Sequence, residues 1–259
     1  MAGPPLQFFR SLIASDLRSI SRNSLLLLLT FTPLLMAVVF RLTVPNVAML
    51  EDLVAKQGYT DIEGLRGFLE TALGQIHPVL MSIYIGLSSS LVGSVYGLLL
   101  VEEREDHVLP SIRVMPVAFS TYMIARLILP ILFSIAVTTL AYPIAGMAPL
   151  PLGTIFVIAA AGASMVPMAT LAVVAIAPGR VTALAMVRVL SLVAILPILT
   201  RFIGPPAEWI FMPIGSYWQM QALWTAIEGG EIGAQLGICV AVNFLFALVF
   251  YAIFANKSE

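Results

Sequence analysis

Six stretches of this chain are apolar over bilayer length and hold no acidic residue: 24–44, 78–100, 119–146, 152–177, 182–203 and 232–255. About 20 apolar residues in a helix cross the hydrocarbon core, and backbone polar groups there must be satisfied within the segment. The pattern therefore predicts an all-α integral membrane protein, one transmembrane domain over residues 1–259. Pro149–Leu150–Pro151 and Pro178–Gly179 separate neighbouring spans as turns. Composition agrees, with 60% hydrophobic and only 10% charged residues, against about 25% charged in a soluble domain. That excess excludes a soluble fold and a disordered chain. A net charge of −1 offers no basic field for nucleic acid. One cysteine and two histidines exclude a disulfide framework and a cysteine-based or His-rich metal site.

The first apolar run exceeds a signal-peptide core of about 7–15 residues, and no A-x-A cleavage pattern follows it, so it reads as a retained span. With the N-terminus inside, nine of the thirteen Lys and Arg residues lie on the cytoplasmic side. Only Arg41, Lys56, Arg66 and Arg201 fall outside. The positive-inside bias thus predicts two cytoplasmic termini in a cell (inner or plasma) membrane. Trp209, Trp218 and Trp224 all fall between spans five and six. Tryptophan favours the headgroup level, so segment 204–231 is expected to hug or re-enter the outer interface.

Upstream of span one, Leu6, Phe9, Ile13, Leu17 and Ile20 share one face at helical spacing, with Arg18 and Arg22 opposite. Residues 6–22 therefore read as an interfacial amphipathic helix, or as a helix packed on a partner. Residues 45–76 form an outer loop with a short helix expected near 61–73. The inner loop, 101–118, reads VEEREDHVLPSIRVMPVA, the densest charge cluster in the chain. Pro110 and Pro116 bracket room for a turn or two of helix. It is either a solvated connector or a docking surface for a cytoplasmic partner.

All fourteen acids fall outside the spans. Ion-coupled transporters usually hold a carboxylate or histidine at membrane depth, so that class is disfavoured. Arg126 and Arg188 sit one to two turns inside the inner span ends and are expected to snorkel to the interface. Asn243 is the amide well inside a span, where interhelical hydrogen bonding is its usual role. Gly86, Gly93 and Gly97 line span two, the last two as G-x-x-x-G. They are candidates, with Asn243, for a substrate path or subunit contact, or for plain packing. Pro130, Pro143, Pro167 and Pro197 are expected to kink or hinge their spans. No H-E-x-x-H motif is present, and neither lysine, Lys56 or Lys257, sits in a P-loop.

Three segments in order resemble the permease subunits of type-2 ABC exporters. The first is LRSISRNSLLLLLTFTPLL, similar to that family's connecting helix and proline-containing first span. The second is EEREDHVLPSIRVMPV, similar to its acidic cluster, coupling helix and closing proline, with His107 and Val108 where Gly-Thr is usual. The third is MPIGSYW, similar to its outer re-entrant segment.

The resemblance implies two six-span permeases, identical or paralogous, paired with two cytoplasmic P-loop ATPase subunits. ATP and Mg would be bound on those partners and no cofactor on this chain, which is then a transport subunit and not an enzyme. Glu102, Glu103, Arg104, Glu105, Asp106, Arg113 and Pro116 would form the ATPase-coupling interface. The cargo would be a hydrophobic or amphipathic drug or lipid, as in the antibiotic and multidrug export subgroup. The competing readings are an ion-coupled transporter or channel, and a non-transport assembly factor.

Overall fold

A computed structural model describes residues 18, 21–22, 24–45, 56, 62–106 and 119–257. Eight α-helices are described: α1 (Ser24–Thr43), α2 (Ile62–Glu105), α3 (Phe119–Ala145), α4 (Leu152–Gly162), α5 (Met165–Ile176), α6 (Arg180–Ile195), α7 (Gly215–Ile227) and α8 (Gly233–Lys257). Two 3₁₀ segments, Leu196–Arg201 and Ala207–Phe211, lie between α6 and α7. Among the described residues there is no strand, and six helical stretches are long and apolar enough to cross a membrane. They form a multi-pass membrane bundle.

The bundle is built around α2. Its membrane stretch is 89% buried, whereas those of α1 and α8 are each 22% buried. α2 packs against α1, α3, α5, α6 and α7, and α8 packs against α5 and α7. The surrounding helices turn Leu28, Leu35, Leu132, Leu192, Leu245 and Leu248 outward. Such a continuous apolar surface suits lipid and not water.

Close approach to α2 depends on its small residues. A Cβ at Gly93 would lie 2.6 Å from the Val166 carbonyl, and one at Gly97 would lie 2.7 Å from Val173 Cβ. Thr170 Oγ donates to the Gly93 carbonyl at 2.8 Å across the same contact. On the opposite side, Ser134 Oγ donates to Ser89 Oγ at 3.1 Å and Thr138 Oγ1 to Ser88 Oγ at 3.0 Å. Small residues and hydroxyls are how helices associate where water supplies no hydrophobic drive.

Two boundaries differ from the sequence-based expectation. The helix expected near 61–73 and the span expected at 78–100 are one helix, α2, of 44 residues. At 1.5 Å per residue it is about 66 Å long, twice the hydrocarbon thickness. Pro78 lies inside it. Proline removes a single hydrogen bond, and helix on both sides propagates across the gap. The outer loop 45–76 is shortened accordingly. Its residues 46–55 and 57–61 lie outside the described residues, as do 1–17, 19–20 and 23, which make up most of the expected interfacial helix.

The second difference is in span four, which is two helices, α4 and α5. Pro167 has no N–H for the Ala163 carbonyl, and its ring would crowd that carbonyl in a continuous helix. The chain instead tightens at Ala163–Ser164. Ser164 N donates to the Ala161 carbonyl at 3.1 Å and Val166 N to the Ala163 carbonyl at 3.0 Å. Pro197 acts similarly in span five, where α6 gives way to a 3₁₀ turn. Pro130 and Pro143 lie within the continuous helix α3.

α7 and α8 form a helical hairpin. Gly229, at φ +79°, closes α7 with Gly230 N donating to the Thr225 carbonyl at 2.8 Å and Gly229 N to the Ala226 carbonyl at 3.2 Å. That double bond pattern requires a left-handed residue after the helix, which glycine supplies without strain. The N-terminal residue of α7, Gly215, is level with Asn243 of α8. Asn243 is ten residues into α8, or about 15 Å, half the hydrocarbon thickness.

Gly93→Val should lower the thermal stability of the purified chain by about 1–3 kcal/mol, the usual cost of overpacking. Gly74→Ala, in the same helix with open space around it, should be neutral or slightly stabilising. Thermal unfolding in one detergent compares the two.

Candidate functional site

The acidic cluster assigned to the inner loop is the last turn of a helix. Glu102, Glu103, Arg104 and Glu105 all belong to α2, and Asp106 follows as a turn. Acids at a helix C-terminus oppose the macrodipole by about 0.3–1 kcal/mol each when exposed. Here they are held by cations from other helices.

Glu103 accepts a hydrogen bond and ion pair from Arg126 of α3. Arg126 is 2% exposed. It does not snorkel to the interface as its position in the span suggested. Glu103, brought by α2, pairs the guanidinium where it is buried, and a buried charge without a partner would be strongly destabilising. Arg188, by contrast, is exposed on the bundle surface.

Arg104 reaches the other way. It donates to the Val174 carbonyl at 3.0 Å and to the Ala177 carbonyl. These belong to the C-terminal end of α5, where the carbonyls have no helical partner. Glu105 Oε1 accepts from the backbone N of Arg180 at 3.0 Å. Arg180 is the first residue of α6, and its N-cap, Gly179, has no side chain to offer. Glu105 therefore caps α6 from a distant part of the sequence, with its charge at the positive helix end. A Cβ on Gly179 would lie 2.7 Å from that carboxylate oxygen. The Arg180 guanidinium lies 3.0 Å from Glu102 and 3.8 Å from Glu105.

The end of α2 thus joins α3, α5 and α6 in one charged junction. Asp106 is exposed at its edge. Residues 107–118, with Arg113 and Pro116 and the expected coupling helix, follow directly and lie outside the described residues.

A second polar group sits inside the bundle, at the α4–α5 break. Ser164 Oγ donates to the Ala161 carbonyl at 2.6 Å. Asn243 Nδ2 donates to Ser164 Oγ at 2.9 Å, so α8 reads the turn in span four. Cys239, one turn earlier on α8, contacts the Ala161 carbonyl at 3.9 Å. Gln219 of α7 donates to the Ile158 carbonyl at 3.5 Å. Both amides lie against glycine: a Cβ on Gly162 would fall 1.8 Å from Gln219 Nε2, and one on Gly215 would fall 1.9 Å from Asn243 Oδ1. Gly86 faces the Ala194 carbonyl of α6 and Met220 of α7. Gly86, Gly93, Gly97 and Asn243 are therefore all turned toward this chain's own helices.

Gln219, Ser164 and Arg180 were not singled out by sequence reasoning. Gln219 lies in a segment read as interfacial, and Ser164 in an unbroken apolar run. Pro167 was the available signal for Ser164, since a proline three residues on marks a turn. In the sequence, Arg180 is only one of the nine positive charges on the cytoplasmic side of the expected topology.

Glu103→Ala removes the carboxylate facing buried Arg126 and should cost about 3 kcal/mol. Glu105→Ala removes a cap at an exposed helix start and should cost only about 1 kcal/mol. Thermal unfolding of the two variants in the same detergent should rank them in that order. Gly162→Ala places a methyl against the Gln219 amide and should lower the unfolding temperature in the same detergent.

Comparison with known proteins finds no curated protein and no solved structure that matches this chain. A family model does match: the one described as "Fluoroquinolones export permease protein Rv2686c-like" aligns with residues 16–251. That range takes in the first five apolar helices, most of the sixth, and the charged junction. It accords with the resemblance to type-2 ABC exporter permeases in the antibiotic export subgroup. The chain belongs to the Rv2686c-like fluoroquinolone export permease family.

Proposed function

We propose that this chain is the membrane-spanning subunit of an ATP-driven exporter that removes a hydrophobic or amphipathic drug from the cytoplasm, with fluoroquinolones the first class to test. The family match over residues 16–251 is the observation that supports this most. ATP and Mg belong on separate P-loop ATPase chains. A second permease, identical or paralogous, completes the path. The chain sits in the inner or plasma membrane with both termini cytoplasmic.

The charged junction suggests how force would enter. Residues 107–118 emerge directly from the end of α2, where Glu103, Arg104 and Glu105 hold α3, α5 and α6. An ATPase pressing on that segment would push on α2, and three further helices would move with it as one body. Rigid-body movement of packed helices is an established form of alternating access. α7, with Gly215 at the level of Asn243, would be the re-entrant element on the outer side of the path.

Ion-driven transport remains the weaker reading. Among the described residues, Arg126 is the buried charge, and it lies at the end of a span against Glu103. No carboxylate among them is buried at mid-span.

The test is co-purification from native membranes followed by reconstitution in liposomes. A P-loop ATPase should accompany the chain, and a fluorescent fluoroquinolone should accumulate only with ATP. Accumulation driven by a proton gradient without any ATPase would overturn the reading. Asp106→Lys, on the exposed edge of the junction, should lower drug moved per ATP by about tenfold, within the usual range of coupling energies. Its thermal unfolding should match that of the unsubstituted chain.

A further inference from the structure

At the end of the bundle opposite the charged junction lies a small cavity of about 200 Å³, lined by Thr200, Arg201, Glu208, Gln221 and Trp224. Drug-sized ligands occupy pockets of about 300–1,000 Å³. The cavity is too small for a drug and of the scale of a lipid headgroup. Its lining is almost wholly polar and carries one charge of each sign.

Arg201 is held in place by an aromatic ring. Its guanidinium carbon lies 4.3 Å from the centroid of the Trp224 ring. The guanidinium carries five N–H donors in its own plane. No hydrogen bond or ion pair among the described residues takes up those donors, and none joins Arg201 to Glu208. An edge of in-plane donors matches two oxygens of one phosphate. Glu208, half-buried across the cavity, supplies the counterpart for a cation.

The sequence neighbours of the two charges say where the ligand comes from. Phe202 is 72% exposed, Trp209 63% and Ile210 74%; Phe202 follows Arg201, and Trp209 and Ile210 follow Glu208. Exposed apolar and tryptophan side chains beside a charged notch belong at a headgroup boundary, with acyl chains alongside. A soluble phosphate compound would have no use for them.

We infer that the Arg201–Glu208 notch binds the headgroup of a zwitterionic phospholipid, phosphate on Arg201 and primary ammonium toward Glu208, with its chains along Phe202, Trp209 and Ile210. The site lies on the connection between α6 and α7, so an occupied notch would brace α7 from the lipid side. The inference rests on the membrane placement of the six apolar helices and not on the substrate or the energy source. It can fail while the exporter reading stands.

The test uses the full chain, delipidated in detergent and offered equal amounts of phosphatidylethanolamine and phosphatidylglycerol, with native mass spectrometry counting what is retained. Phosphatidylethanolamine should be favoured about fivefold, the effect of one charge near the surface. Arg201→Gln should abolish retention of both, and Glu208→Gln should bring the two lipids to parity. Glu228→Gln, exposed on the same segment, should change nothing. Matching unfolding temperatures for all four proteins show that the fold is intact. Equal binding of the two lipids to the unsubstituted chain, or unchanged retention in Arg201→Gln, overturns the inference. Displacement by soluble glycerophosphoethanolamine at the same concentration as the lipid would make the site one for a free phosphate compound, which also overturns it.

Discussion

Hydrocarbon offers no water to a carbonyl or an amide N–H, so every interruption of a membrane helix must find its partners inside the protein. Three interruptions among the described residues answer that demand. Span four breaks at Ala163–Ser164 because Pro167 cannot donate; there Ser164 Oγ and Cys239 Sγ reach the Ala161 carbonyl, and Asn243 donates to Ser164 Oγ. α5 ends with its carbonyls on Arg104, and α6 begins with its N–H on Glu105. These two caps come from the same turn of α2, which makes a single helix end the meeting point of α3, α5 and α6.

The same economy shapes the interior. α2 carries glycine and serine where it meets α5 and α3, so the backbones approach closely and hydroxyls bond across the gap. The two inserted amides, Gln219 and Asn243, seat on Gly162 and Gly215, where any side chain would collide with them. α7 is thereby fixed against α4 and α8 by shape as much as by hydrogen bonding. Movement of α7 during transport would need these contacts to part together.

Much of this was legible beforehand. Apolar runs of bilayer length mark the six spans, since their signal is local and survives any packing. The Pro178–Gly179 turn is equally plain, because both residues oppose continued helix. Boundaries fared worse where tertiary contacts outweighed a local breaker, as at Pro78, or where one proline split a uniformly apolar run, as at Pro167. Glu102–Glu105 read as a charged loop because a membrane-spanning run is expected to end where acidic residues begin. Arg126 read as a snorkelling residue because its partner, Glu103, lies on a different helix.

The amino-acid sequence by itself determined that the chain is a helical membrane protein, because hydrophobic length and scarcity of charge are properties of composition and order. It also placed the densest charge at one end of span two. Only the tertiary structure decided what that charge does. Pairing is a matter of distance, and the residues that meet at the end of α2 are brought together by packing from about 20 to 75 positions away.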